Sequence, residues 1–388
     1  MKYDFETLSP ERSHHFWNAL ADKGINDPGI ISYGVAEMKF PLCPEIKQAL
    51  RDCADYGYFG YYGDMHYSDT VCRFYAKHHG WDAKPEWLVQ SYGVVLAISM
   101  AIRAFTEPGD GIIIQTPVYT PFFNEIKGNR RVIIENRLIK GETRYEMDFE
   151  DLERKAADPN AKMMILCSPH NPVGRVWSRE ELQRVSEICL KHNVLVVSDE
   201  IHNDLVYEGE HTIYATLSTE AEQNCIVCTA PSKTFNIPGL ITSNIFVPNP
   251  ELREKFEAEV TRCMGHFLNI TGTAASTAAY EKGGEWLAEV LEYINGNAEV
   301  FRTLVQEKIP RAWTPKMEGT YLAWLDLGFL GLSDEELEKF LAEKAQFLGN
   351  MGTMYGVAGS GFVRVNIGCP RRYVVDAVER IAKAINEL

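Results

Sequence analysis

Between about residue 90 and residue 250, short apolar runs alternate with amphipathic segments, and that alternation leaves few architectures open. Residues 112–114, 132–134, 163–167, 194–198, 225–229 and 244–247 are each too short for a helix and are bounded by turn residues. They lack polar alternation, as strands covered on both faces do. Helical patterns fall between several of them. The clearest, 178–192, opens with Ser178-Arg179-Glu180-Glu181, a capping box in which serine and glutamate satisfy free backbone donors reciprocally. Strands alternating with helices predict an α/β fold: a mostly parallel central sheet flanked by helices, with right-handed crossovers.

From about residue 285 the pattern changes. A helical stretch at 286–307 precedes Pro310 and Pro315, and a strand-like 320–327 follows. A second capping box, Ser333-Asp334-Glu335-Glu336, a strand at 362–367 and a closing helix at 373–388 predict a smaller α+β domain. A chain of 388 residues exceeds the usual single-core size. The expected division is 1–48, an N-terminal segment joining the small domain; 49–284, the large domain; and 285–388, the small C-terminal domain. No repeat, low-complexity tract or flexible linker interrupts it, so the domains are expected to pack closely.

Charge removes several functional classes. Lys plus Arg is 39 against 54 Asp plus Glu, a formal charge of −15 that repels phosphate backbones and argues against a nucleic-acid partner. No apolar run reaches the roughly 18–20 residues of a spanning helix. The opening segment 1–10 is polar and carries Asp4 and Glu6, unlike a secretory leader, so a cytoplasmic protein is expected. The nine cysteines are scattered; Cys225 and Cys228 form the one close pair, inside an apolar run and without a second ligand pair. Reduced core thiols are therefore expected, and no metal.

Active sites of open α/β sheets lie beyond the carboxyl ends of the strands. After 163–167 comes Ser168-Pro169-His170-Asn171-Pro172-Val173-Gly174; after 194–197, Ser198-Asp199-Glu200-Ile201-His202; after 225–229, Ala230-Pro231-Ser232-Lys233-Thr234-Phe235-Asn236. Three strand ends thus offer an Asn, an Asp and a Lys. No G-x-G-x-x-G follows any of them, which counts against a nicotinamide dehydrogenase. A partly desolvated lysine loses its proton readily and condenses with an aldehyde. An aspartate facing a pyridine nitrogen keeps that ring protonated and electron-accepting. Singly, such residues are common in loops and turns; together, in this order, they are specific.

The segments 168–174, 199–202 and 232–235 resemble pyridoxal-phosphate enzymes of the aspartate-aminotransferase superfamily, fold type I. More narrowly, Asp199-Glu200-Ile201-His202-Asn203-Asp204 and Ser232-Lys233-Thr234-Phe235-Asn236-Ile237-Pro238-Gly239-Leu240 are similar to the MalY/PatB-type cystathionine β-lyase branch. The resemblance extends from about Tyr33 to Arg371. It implies pyridoxal 5'-phosphate as cofactor, Lys233 as its imine-forming lysine and Cα base, Asp199 at the pyridine nitrogen, Asn171 at the phenolic oxygen and Tyr119 stacked on the ring. His202 stands where many relatives carry tyrosine, near that oxygen. For the phosphate, Gly93-Val94-Val95 precedes a helical pattern whose free N–H groups would face an anion, and Ser232 adds a hydroxyl. The arginine common eight residues past the lysine is Ile241 here, and no basic residue lies between Lys233 and Arg253.

In the same resemblance Tyr61, within Tyr58-Phe59-Gly60-Tyr61-Tyr62-Gly63, reaches the phosphate from the partner subunit, which implies a homodimer; interface or core packing of the aromatic stretch 56–67 is the plainer reading. Arg364, alone in the apolar strand 362–367, needs a partner, and a substrate carboxylate would serve, as would an internal ion pair. Arg371 and Arg372 read as a helix start. The resemblance groups Arg364, Asn171, Ala36 and Tyr61 about an amino-acid substrate. The branch's Asp-Met-Asp-Phe-like entrance reads Ala36-Glu37-Met38-Lys39-Phe40 in this chain, and Tyr33 stands near a position often tryptophan. The implied activity is a carbon–sulfur β-lyase acting on cystathionine or related cysteine S-conjugates. An aminotransferase is the alternative, since both use the lysine at Cα. A non-catalytic regulator is a third reading; regulatory fusions append a DNA-binding module, and the chain has no basic segment or spare length for one.

Overall fold

The computed structural model describes residues 1–8, 20–25, 29–61, 66–265 and 269–388. Ser9 and Pro10 of the opening segment, and Tyr62 and Gly63 of the aromatic stretch, lie outside them. In chain order the strands are β1 (Leu88–Ser91), β2 (Gly111–Thr116), β3 (Val132–Arg137), β4 (Ile139–Lys140), β5 (Tyr145–Glu146), β6 (Ala161–Cys167), β7 (Leu195–Asp199), β8 (Cys225–Thr229), β9 (Ser243–Phe246), β10 (Leu322–Asp326), β11 (Asn350–Met351) and β12 (Phe362–Asn366).

The main sheet has the order β1-β9-β8-β7-β6-β2-β3. β3, β2, β6, β7 and β8 are parallel neighbours, whereas β9 runs antiparallel to both β8 and β1. Alternate residues of the buried strands feed two cores. Ile112, Ile114, Met163, Ile165, Val197, Ile226 and Ile245 pack with Ala97, Ile98 and Ala101 of the helix Val94–Phe105 on one face. Ile113, Met164, Leu166, Val196 and Val227 face Leu182, Val185 and Cys189 of the helix Arg179–Lys191 on the other. Three layers result, with the sheet in the middle. Each Val, Leu, Ile or Met side chain so buried contributes about 1.5–3 kcal/mol by transfer from water.

Both capping boxes form as expected, at Ser178 with Glu181 and at Ser333 with Glu336. The long helix spans Gly284–Lys308, and the closing helix begins at Arg371. A second sheet, β10-β12-β11, is antiparallel throughout and belongs to the C-terminal third. The expected strand at 320–327 is shorter than predicted. Thr320 adopts φ 65°, a left-handed conformation that a strand cannot carry, so pairing starts at Leu322. All nine cysteines are free, with Cys225 and Cys228 buried in β8. Among the described residues no helix is long and apolar enough to cross a membrane, and no group of three His, Cys, Asp or Glu side chains is placed to hold a metal ion.

Candidate active site

The carboxyl ends of β6, β7 and β8 lie side by side, because those strands are parallel neighbours. Asn171 follows β6 by four residues, Asp199 ends β7, and Lys233 follows β8 by four residues in the one-turn helix Pro231–Thr234. All three line one cleft. Ala36, Gly93, Val94, Val95, Tyr119, His202 and Ser232 line it too. Tyr61 does not; its side chain is 87% exposed, away from the cleft of its own chain, in a run with exposed Tyr56, Tyr58 and Phe59.

Gly93 caps the helix Val94–Phe105 at φ 96° and ψ 152°, a backbone conformation that an L side chain rarely adopts. The helix has no side-chain cap and no acidic residue in its first turn, so its positive end opens into the cleft. On the far side of the lysine loop Ile241 takes φ 40°, uncommon for a β-branched residue, and Thr242 stands beside it in the wall.

The polar groups are tightly specified. Arg364 Nη1 donates to Asn171 Oδ1 at 3.0 Å, and Nη2 donates to the Gly34 carbonyl. The Tyr355 ring centroid lies 5.1 Å from this guanidinium. No carboxylate among the described residues pairs with Arg364, and its Nε is buried without a hydrogen-bond partner. Since Arg364 holds the Asn171 oxygen, the amide nitrogen is the end left to donate. Lys233 Nζ donates to the Ala36 carbonyl at 2.7 Å, which Tyr321 OH also reaches at 3.1 Å. Asn366 Nδ2 donates to the carbonyls of Val35 (2.6 Å) and Glu37 (2.7 Å), and Asn236 brackets Met38 through both N–H and C=O. Residues 34–38 therefore form a strap pinned from both sides across the lysine.

Burial sets the proton affinities. It lowers the Lys233 amine to about 8, with Arg364 pushing the same way and Glu37 and Asp199 opposing. It raises Asp199 to about 7, against the stabilising Ile201 N–H at 3.2 Å. It lowers His202 to about 3, helped by Lys233 and Arg364, so this imidazole is neutral. His202 Nδ1 is buried without a partner. Tyr119 is pushed up to about 12 by burial and Asp199.

The sequence did not single out Tyr92, Cys167, Ile201, Pro238 and Thr242 in the wall, nor Tyr321, Tyr355 and Asn366 around it. Tyr321 and Asn366 stand inside the predicted strands 320–327 and 362–367, each next to an end, and a polar residue near the end of an apolar run was the signal that could have marked them.

The aminotransferase class I and II family model matches residues 28–381. Cystathionine beta-lyase PatB of Bacillus subtilis (strain 168) is 44% identical over 354 residues, 91% of this chain and 92% of that protein. Protein MalY of Escherichia coli (strain K12) is 32% identical, covering 95% of each. Among solved structures, cystalysin from Treponema denticola, which contains pyridoxal 5'-phosphate, superposes with a TM-score of 0.97 at 36% identity over 100% of both chains. The PLP-bound C-S lyase of Staphylococcus hominis gives 0.91 at 29% identity, over 99% of this chain and 99% of that one.

Proposed function

Because the chain belongs to the aminotransferase class I and II family, we propose that it is a pyridoxal 5'-phosphate-dependent C–S β-lyase, converting cystathionine or a related cysteine S-conjugate to thiol, pyruvate and ammonia. What carries the reading is the meeting of Lys233, Asp199 and Asn171, from three adjacent strand ends, in one cleft, with Arg364 bonded to the third. The relatives at 44% and 36% identity, a cystathionine beta-lyase and cystalysin, favour elimination over transamination. We read 49–284 as the large domain that binds the cofactor, 285–388 as the small C-terminal domain and 1–48 as a segment that joins it.

The residues fit the cofactor. His202 Nδ1 and Arg364 Nε are buried polar atoms without partners, and Asp199 is a buried carboxyl awaiting a cation. When bound, the cofactor supplies an aldehyde carbon for covalent attachment and a ring that accepts an electron pair from Cα. Lys233 Nζ would make that attachment and would also be the base for the Cα proton. Asp199 would hold a proton on the pyridine nitrogen. Asn171 Nδ2 would donate to the phenolic oxygen, with neutral His202 nearby, and Tyr119 would pack against the ring. The backbone N–H groups of Val94 and Val95 beyond Gly93, with the Ser232 and Thr242 hydroxyls, would hold the phosphate in place of a basic side chain. Tyr61 of a second copy completes that site in a homodimer, which accounts for its exposure together with Tyr56, Tyr58 and Phe59. Arg364 turns from the Gly34 carbonyl to the substrate α-carboxylate.

The test is a product assay. Purified holoenzyme with cystathionine is expected to release pyruvate in the absence of any keto-acid acceptor. Keto-acid formation that depends on an acceptor, with no β-elimination, reverses the choice in favour of an aminotransferase. Arg364→Ala is expected to raise KM for the amino acid roughly 10- to 100-fold, the size of hydrogen bonds to a charged group. Steady-state kinetics checks this; an unchanged KM removes Arg364 from the substrate.

A further inference from the structure

Lys233 sits on a helix of four residues, too short to hold its own orientation. Its neighbours do so instead. Phe235 is boxed by Phe74 and Tyr280, at centroid distances of 6.3 and 6.1 Å, and Asn236 is tied to Met38. Thr234, the residue after the lysine and the last of its helix, is fully buried, and its hydroxyl donates to Asp204 Oδ2 at 2.7 Å.

Asp204 lies in the turn after β7, five residues past Asp199, and its side chain is 4% exposed. Its other oxygen, Oδ1, is 2.7 Å from His79 Nε2. His79 ends the helix Tyr67–His79, and its ring stacks on Tyr75 at 5.2 Å and 25°. A buried carboxylate is costly unless its oxygens are matched, and these two are matched from two separate segments. The arrangement therefore fixes three pieces of chain against one another: the turn that follows Asp199 and carries His202, the helix that carries Lys233, and the end of the helix Tyr67–His79.

We infer that Asp204, anchored by His79, is a positioning residue that acts through Thr234 to set the rotation of the Lys233 helix, and so the angle at which the amine meets the cofactor relative to Asp199. The inference rests on Lys233 being the cofactor-binding lysine. It is distinct from packing alone, because rotation of a one-turn helix displaces the amine without unfolding anything, and misplacement by about 1 Å costs up to roughly 10²-fold in rate.

The experiment compares holoenzymes of the wild type, Thr234→Val, Thr234→Ser and Asp204→Ala. Borohydride trapping with peptide mapping reads attachment at residue 233, circular dichroism in the cofactor's visible band reads its orientation, and steady-state kinetics follows. Thr234→Val, nearly the same shape without the hydroxyl donor, is expected to trap cofactor at 233, to lose about half or more of the visible dichroism, and to lower kcat about 10- to 100-fold with KM within about threefold. Thr234→Ser is expected to restore both signals. Wild-type dichroism and kcat in Thr234→Val overturn the inference, whatever its melting temperature. If Thr234→Val does not accumulate as holoenzyme, the same outcome in Asp204→Ala, which removes the acceptor altogether, overturns it. Failure to trap cofactor at 233 in the wild type instead brings down the lysine assignment itself.

Discussion

Lys233→Ala is expected to abolish covalent attachment of pyridoxal 5'-phosphate and to lower turnover by roughly 10²–10⁴-fold through the lost proton transfer alone. In the proposed function the amine would bond to the aldehyde and also serve as the base at the substrate Cα, so one substitution would remove two functions. Its surroundings suit both. Burial beside Arg364 lowers the amine to about 8, where a useful share is neutral and nucleophilic. The sign gives a second expectation for cofactor-free wild-type protein. Only the neutral amine attacks, so the rate of cofactor capture should climb about tenfold per pH unit below 8 and level off above it. Stopped-flow absorbance measures this. A pH-independent capture rate, or borohydride-stable attachment in Lys233→Ala, removes the lysine from the role given to it.

Much of this site was legible in the sequence, for a physical reason. Parallel strands buried on both faces read as unbroken apolar runs, and the polar residues after each run must lie at one edge of the sheet. Asn171, Asp199 and Lys233 could be found that way although they are far apart in the chain. Gly93 was legible because a glycine before a helix marks a backbone that approaches something closely. Strand β1 was not, because Leu88-Val89-Gln90-Ser91 is short and half polar. Neither was the reversed direction of β9, which depends on the path of the chain from residue 230 to 242. The strap was illegible for another reason. Its bonds run from main-chain carbonyls at 34–38 to side chains at 233, 236, 321, 364 and 366, and nothing periodic in a sequence encodes pairings over such separations. The bond from Thr234 to Asp204 is of the same kind: both residues stood inside recognised segments, but their contact emerges only when β7 and β8 lie side by side.

Asp199→Ala is expected to leave cofactor attached at Lys233 while lowering kcat by about 10²–10³-fold, the scale of removing a preorganised charge from a developing one. The argument begins with the cost of the aspartate. Its carboxyl is buried at the end of β7, and burial pushes it up to about 7 while the Ile201 N–H offers one hydrogen bond in return. Such a group is a poor choice for stability alone, since the same strand end could hold an apolar residue at no desolvation cost. In the proposed function a pyridinium N–H placed against it would repay that cost, and the charge pair would keep the ring able to accept electrons while Lys233 takes the Cα proton. Alanine leaves Lys233, Asn171 and the helix Val94–Phe105 in place, so attachment survives and the ring nitrogen alone loses its partner. Trapping at 233 combined with the fall in kcat distinguishes this from general damage, which would reduce both. Asp199→Asn is expected to be nearly as slow as alanine, because the amide keeps the shape and loses the charge. Wild-type turnover in either variant would mean that the ring nitrogen is governed by some other group and that the burial of this carboxylate serves another purpose.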